Sequence, residues 1–167
     1  PVLNAIMQLA AEGKTAPGLR YGLDRVLHGE QLLELKKPLP PSGKLTHRAR
    51  IKDIFDKGKH ALVVTETRTT DESGDEVLRA EIVTVVRGAG GFGGERGPSA
   101  EAQALPSREP DAVITEATHP SQALLYRLNG DANPLHADPD FAKAFGFDRP
   151  ILHGLCTFGF AGRHVVR

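Results

Sequence analysis

The sequence predicts an α+β protein on three observations: a helical apolar pattern at its start, a series of β-branched segments divided by turn residues up to residue 87, and helical patterns again in its second half. In residues 2–12, Val2, Leu3, Ile6, Leu9 and Ala10 recur at helical spacing and Gly13 stops them. Residues 19–39 read as one kinked strand or two, with Tyr21, Leu23, Leu27, Leu32, Leu33 and Leu35 interrupted by Gly22 and Gly29. Pro38-Leu39-Pro40-Pro41-Ser42-Gly43 then forces a loop. In residues 44–55, Arg48, Arg50 and Lys52 alternate with Ala49 and Ile51. Asp56-Lys57-Gly58-Lys59 supplies turn residues before the β-branched stretch 61–69, and the whole predicts a hairpin. Asp71-Glu72-Ser73-Gly74-Asp75 makes a second turn, and residues 77–87, with Ile82, Val83, Val85 and Val86, make the next strand of an antiparallel meander.

Residues 88–110 hold nine Gly and Pro positions (Gly88, Gly90, Gly91, Gly93, Gly94, Gly97, Pro98, Pro106, Pro110) and few large apolar residues, so they predict a linker between two halves, 1–87 and 111–167. The second half begins with a short strand candidate at 112–115. A helical pattern follows at Gln122, Leu124, Leu125 and Leu128, and then the segment Gly130-Asp131-Ala132-Asn133-Pro134-Leu135-His136. A short helix comes next, with Asp138 as N-cap, Pro139 at its first position, Phe141 and Phe145 on its apolar face and Gly146 as its stop. The loop Asp148-Arg149-Pro150 leads to a last helix over 155–166. The chain opens on Pro1 and ends on Arg167 inside apolar patterns, so partner elements are expected beyond both ends.

Composition narrows the function. Lys and Arg number 21 and Asp and Glu 21, so no net field draws the chain to nucleic acid or an anionic membrane. At 40% hydrophobic and 25% charged residues the chain is of globular type, and about 150 residues suffice to bury roughly 68–70% of the unfolded surface. A single cysteine, Cys156, excludes an internal disulfide and a thiolate zinc cluster, and the chain shows no 20-residue apolar run or secretion signal.

Gly88-Ala89-Gly90-Gly91-Phe92-Gly93 matches a dinucleotide-binding fingerprint, but no helix pattern follows it, so it is assigned to the flexible linker. His119, His136, His153 and His164 lack close metal-ligand spacing, and only His136 has carboxylates near it in sequence (Asp131, Asp138, Asp140). Cys156 falls in the apolar pattern of the last helix, as a buried inert thiol would.

Asn133 precedes Pro134 and is biased away from helical backbone, so Asp131 and Asn133 lie on an irregular stretch with His136 just beyond. A carboxylate and an imidazole so placed can flank one water and divide acid and base roles between them. The competing reading makes Asp131 a turn cap and His136 a structural histidine. At His153-Gly154 the last helix would begin, so the Gly154 N–H is an orphan donor at the positive end of the helix dipole, suited to a developing oxyanion. Tight packing is the alternative use of that glycine.

Gly130-Asp131-Ala132-Asn133-Pro134-Leu135-His136, with Asp138-Pro139, Phe141-Ala142 and Arg149-Pro150-Ile151-Leu152-His153-Gly154-Leu155, resembles the signature of the MaoC-like (R)-specific enoyl-CoA hydratases, or hydratase 2. Upstream, Tyr126-Arg127-Leu128, Gly90-Gly91-Phe92-Gly93-Gly94 and Leu27-His28-Gly29-Glu30-Gln31 extend the resemblance over nearly the whole chain. It implies a double hot-dog fold: two repeats, each an antiparallel sheet wrapped around a central helix, the first housing the acyl chain and the second carrying catalysis. It also implies hydration of a trans-2-enoyl-CoA to a (3R)-3-hydroxyacyl-CoA with no metal or organic cofactor. Asp131 and His136 would be the catalytic pair, Asn133 would position them, and the Gly154 N–H would hold the thioester oxygen. His28, Gly29, Glu30 and His153 would line the substrate. The partners expected are an acyl-CoA and a second copy of the chain, in a bacterial cytoplasm or a peroxisome. Thioester hydrolysis, or a non-catalytic acyl-binding or assembly role, is the alternative.

Overall fold

Four strands, β1 (Val26–Leu35), β2 (Thr46–Asp56), β3 (Ala61–Thr70) and β4 (Glu76–Val86), form one antiparallel sheet in the order β1-β4-β3-β2. They belong to a computed structural model that describes residues 21, 25–39, 41–99 and 106–166; the helix predicted over 2–12 lies outside these residues. β2, β3 and β4 follow one another as the expected meander, and β1 crosses to pair with β4. The segment predicted as one strand or two is one strand, with a register shift between His28 and Glu30. A side chain at Gly29 would meet the Val83 carbonyl and a Val85 methyl, each at 3.1 Å, so the bulge brings backbone where only glycine fits without a shift.

Alternation along β3 puts Ala61 and Val63 on one face, where they pack with Val86 as a buried cluster joined by Ala89. Burying each valine is worth about 1.5–3 kcal/mol. The opposite face carries Glu66, only 2% exposed. Register sets Arg48 against Arg68 and Arg68 against Arg79, a row of like charges that would repel across the sheet. Glu66 answers it, accepting from Arg50 Nε at 2.9 Å, Arg68 Nε at 3.2 Å and Arg79 Nη2 at 2.7 Å. The Arg50 hydrogen bond, with Arg68 behind it, lowers the Glu66 carboxyl to about 2. A carboxyl lowered in the folded state adds stability that is complete above its ordinary value near 4.5 and is lost as pH falls from there toward 2. Glu66→Gln should therefore flatten the acid side of a denaturation-midpoint profile over that window; an unaltered acid side would contradict it.

The glycine segment after β4 is fastened to the β2–β3 turn. Asp56 Oδ1 accepts from the Gly58 and Gly91 N–H groups, and Oδ2 from the Gly93 N–H, each at 2.8 Å. The Asp56 N–H donates to the Glu95 carbonyl at 2.8 Å, and Lys57 Nζ to the Pro98 carbonyl at 2.7 Å. Gly91 (φ 82°) and Gly93 (φ 77°) adopt left-handed backbone, which lets both amides turn inward to one carboxylate. These bonds, that of Gly91 foremost, hold the Asp56 carboxyl below the usual range. The segment expected to be a loose linker is thus bonded to the sheet through residue 98, because one carboxylate satisfies amides that have no ladder of their own. The described residues up to Pro98 form one compact unit and those from Ser99 onward a second.

In the second unit, α1 (Gln122–Tyr126) runs into a 3₁₀ turn (Arg127–Asn129) closed by Gly130. A second 3₁₀ turn (Pro134–His136) precedes α2 (Pro139–Ala144), and α3 (Gly154–Val166) ends the described chain. The punctuation of α2 is as predicted. Asp138 Oδ1 accepts from the Asp140 and Phe141 amides at 2.9 and 3.2 Å, a cap worth about 1 kcal/mol. At the other end the Gly146 amide bonds the Lys143 carbonyl and the Phe147 amide the Ala142 carbonyl, the paired bonds of a Schellman stop. The strand expected at 112–115 does not form. Val113 is 79% exposed, no ladder partner meets this stretch among the described residues, and Arg163 and His164 of α3 draw Glu116 into an ion-pair cluster. Among the described residues no helix is long and apolar enough to cross a membrane.

Candidate functional site

Two consecutive side-chain turns shape the segment before α2. Asp131 Oδ1 accepts from the Asn133 N–H at 3.2 Å, and Asn133 Oδ1 from the Leu135 N–H at 3.1 Å. Pro134 fixes the next φ and starts the 3₁₀ turn, which delivers His136. Asn133, ψ 122°, is non-helical, as a residue before proline should be. Asp131 is therefore a turn cap and a candidate acid or base at once, since Oδ2 is left out of the turn.

His136 Nδ1 lies 2.8 Å from the Ile151 carbonyl. A carbonyl only accepts, so Nδ1 carries the hydrogen and Nε2 presents a lone pair. The His153 ring stacks on it, centroids 3.7 Å apart and planes at 26°, while Tyr126 packs against His153 at 4.8 Å. His153 is 1% exposed. Its Nε2 donates to the Asp131 carbonyl at 3.3 Å and lies 4.0 Å from Asp131 Oδ2, whereas its Nδ1 is buried without a partner. Burial first, and then the neighbouring His136, lower the His153 pKa, so this ring is neutral at neutral pH.

One donor atom each from Asp131, His136 and His153 lies within 4.8 Å of the others. Sequence spacing places only His136 among carboxylates; the fold adds His153. His136 Nδ1 is already committed to the Ile151 carbonyl, which leaves Nε2 as the His136 atom open to a water or an ion. These three side chains lie close enough together to share one water or one ion.

Gly154 is the first residue of α3, and no acceptor meets its N–H among the described residues. Gly154 is exposed, and a Cβ there would touch nothing within 4 Å. The Cys156 and Thr157 amides turn back to the His153 carbonyl at 3.0 and 3.3 Å and lock the helix start. Cys156 is buried, and burial raises its thiol pKa, as an inert cysteine requires.

The fold brings Asp131, Asn133, His136, His153 and Gly154 together in the second unit. His28, Gly29 and Glu30 lie exposed on β1 in the first, where His28 Nε2 approaches the Glu30 carbonyl at 3.2 Å. His153, predicted to line the substrate, is 1% exposed in this structure, with the Tyr126 and His136 rings packed against its own. Two participants are given no role from the sequence. The Ile151 carbonyl belongs to the backbone, and Tyr126 meets His153 from 27 positions upstream.

The fold neighbours are MaoC-like hot-dog proteins. The crystal structure of a MaoC-like dehydratase from Phytophthora capsici superposes with a TM-score of 0.76 at 40% identity, over 87% of this chain and 51% of that one. By sequence, residues 1–88 match the MFE-2 hydratase 2 N-terminal domain and residues 101–167 the MaoC like domain, so the chain belongs to the MaoC-like hydratase 2 family. Mouse peroxisomal multifunctional enzyme type 2 is 53% identical over 154 residues, 90% of this chain and 21% of that protein. Peroxisomal enoyl-CoA hydratase 2 of Arabidopsis thaliana is 45% identical over 166 residues, 93% of this chain and 54% of that protein. The chain thus spans about half or less of the length of these relatives.

Proposed function

We propose that this chain carries the site for (R)-specific hydration of trans-2-enoyl-CoA to (3R)-3-hydroxyacyl-CoA, and for the reverse dehydration. The observation that supports it best is the clustering of Asp131, His136 and His153, one donor atom of each within 4.8 Å of the others, with Asp131 Oδ2 outside its turn and His136 Nε2 outside the Ile151 contact. One water making two hydrogen bonds of about 2.8 Å can bridge such a gap. Both free atoms accept hydrogen bonds. One of the pair takes a proton from the water as the hydroxyl adds to C3 of the enoyl group, and the pair hands that same proton on to C2 from the same side, so that water adds whole across the double bond. Meanwhile the thioester oxygen gains charge as the enolate forms, and the Gly154 N–H at the head of α3 meets it.

In this reading the two family-matched segments are the two repeats of a double hot-dog, and the chain works as a homodimer in a bacterial cytoplasm or a peroxisome. His28, Gly29 and Glu30 of β1 serve the acyl-CoA. No metal or organic cofactor enters, because a carboxylate, an imidazole, an amide and a water supply every proton and charge that the addition needs.

The test is direct. Crotonyl-CoA and a longer trans-2-enoyl-CoA, incubated with the protein, should lose their conjugated absorbance and give the 3R product on chiral analysis. The 3S product, or no hydration, would reject the assignment, and release of free CoA from a saturated acyl-CoA would assign thioester hydrolysis in its place.

A further inference from the structure

We infer that His153 is a positioning residue for the Asp131–His136 pair, holding Asp131 through its Nε2–H and His136 through its ring face. The inference rests on the hydratase reading of that pair and adds to it a residue that touches neither water nor substrate.

Three observations carry it. The His153 backbone is locked, its carbonyl accepting the first two turned-back amides of α3, at Cys156 and Thr157. Its ring is locked as well, 1% exposed between Tyr126 at 4.8 Å and His136 at 3.7 Å. From that fixed ring one atom reaches out usefully. Nε2 donates to the Asp131 carbonyl at 3.3 Å, with Asp131 Oδ2 at 4.0 Å, which pins the residue whose own side chain starts the following turn.

The other ring nitrogen argues that packing is not the whole reason for a histidine here. Nδ1 is buried without a hydrogen bond, an arrangement that an apolar ring of similar size would avoid. The histidine keeps that penalty and gains the Nε2–H contact to Asp131. Its charge state fits the same role. The groups acting on the ring are Tyr126, Arg127, Asp131 and His136. Burial, His136 and Arg127 disfavour the cation and outweigh the pull of the Asp131 carbonyl and carboxylate. A neutral His153 keeps its Nε2–H as the donor toward Asp131 while its ring face rests on His136 at 3.7 Å.

Two variants separate the contacts. His153→Phe keeps the ring face and removes the donor; His153→Gln keeps an N–H near the Nε2 position and removes the ring. Misplacement of a catalytic group by about 1 Å costs roughly 100-fold, so His153→Phe should lower kcat by about 10- to 100-fold with KM nearly unchanged and should alter the pH profile of kcat. His153→Gln should recover part of kcat. In the unaltered protein, ¹⁵N NMR of the imidazoles should show His153 as the neutral Nε2–H tautomer through neutral pH, and His136 should lose a ring-current shift in His153→Gln.

Wild-type kcat and pH profile in His153→Phe would overturn the inference. So would equal losses in both variants that track their melting temperatures. If neither variant folds, the NMR tautomer decides, and a charged or Nδ1–H His153 rejects the proposal. Absence of any hydration by the unaltered protein would reject the hydratase reading instead, and the NMR contacts between His153 and His136 would stand independently of it.

Discussion

Asp131→Asn should lower kcat for enoyl-CoA hydration by about 100- to 10,000-fold, the range that a positioned acid or base contributes. The substitution keeps the shape of the side chain, and its remaining carbonyl oxygen can still accept the Asn133 N–H that closes the turn at 3.2 Å. The melting temperature should therefore stay where it is while turnover falls. That separation is what distinguishes a catalytic carboxylate from a turn cap, since the structure shows Asp131 in the capping position as well. Wild-type turnover in the folded variant would remove Asp131 from the chemistry and leave it only the turn; lost activity with an equal loss of stability would point the same way.

Gly154→Pro should lower kcat by about 100- to 1,000-fold, the loss that follows removal of one oxyanion donor. Proline lacks the N–H but suits the first position of a helix, where that hydrogen has no partner in the helix, and the position beside Gly154 is open to at least 4 Å. Gly154→Ala is the companion variant. It retains the N–H and adds a methyl on the side that a ligand approaches, so its loss should appear mainly in KM. A kcat in Gly154→Pro no lower than in Gly154→Ala would show that the amide does not stabilise the transition state. The two substitutions thus separate the electrostatic use of the glycine from its use as a gap.

Where pairing is local, the sequence carried the fold. The turn residues from Asp56 to Lys59 and from Asp71 to Asp75 stand between β-branched runs, and the strands form where those runs lie. The place of β1 beside β4 is not local. It depends on a register between residues about 50 apart, which side-chain alternation alone does not determine. The stretch at 112–115 shows the converse: β-branched residues without a partner edge stay unpaired. In the site, Asp131, Asn133 and His136 were legible because Pro134 constrains the backbone between them and because the segment resembles a known signature. The stacking of His153 on His136 was not. Sixteen residues, α2 among them, separate the two rings, and only the folded path through Ile151 brings them face to face.

The knot of amides around Asp56 bears on how the glycine run at 88–93 should be understood. Inward-facing glycine amides form a receptor for an anion, and here the chain brings its own: the cradle that a nucleotide phosphate would want is occupied by a carboxylate from the neighbouring turn. The fingerprint is a decoy, self-liganded from within. Its order depends on chemistry more than on shape. An asparagine would fill the same volume at position 56, yet one of its two head atoms would be an NH2, and with an oxygen kept toward Gly58 and Gly91 it would turn donor against donor at the Gly93 N–H. One carboxylate, drawing in amides that only left-handed glycines can turn toward it, thus takes the place of an outside anion in this stretch.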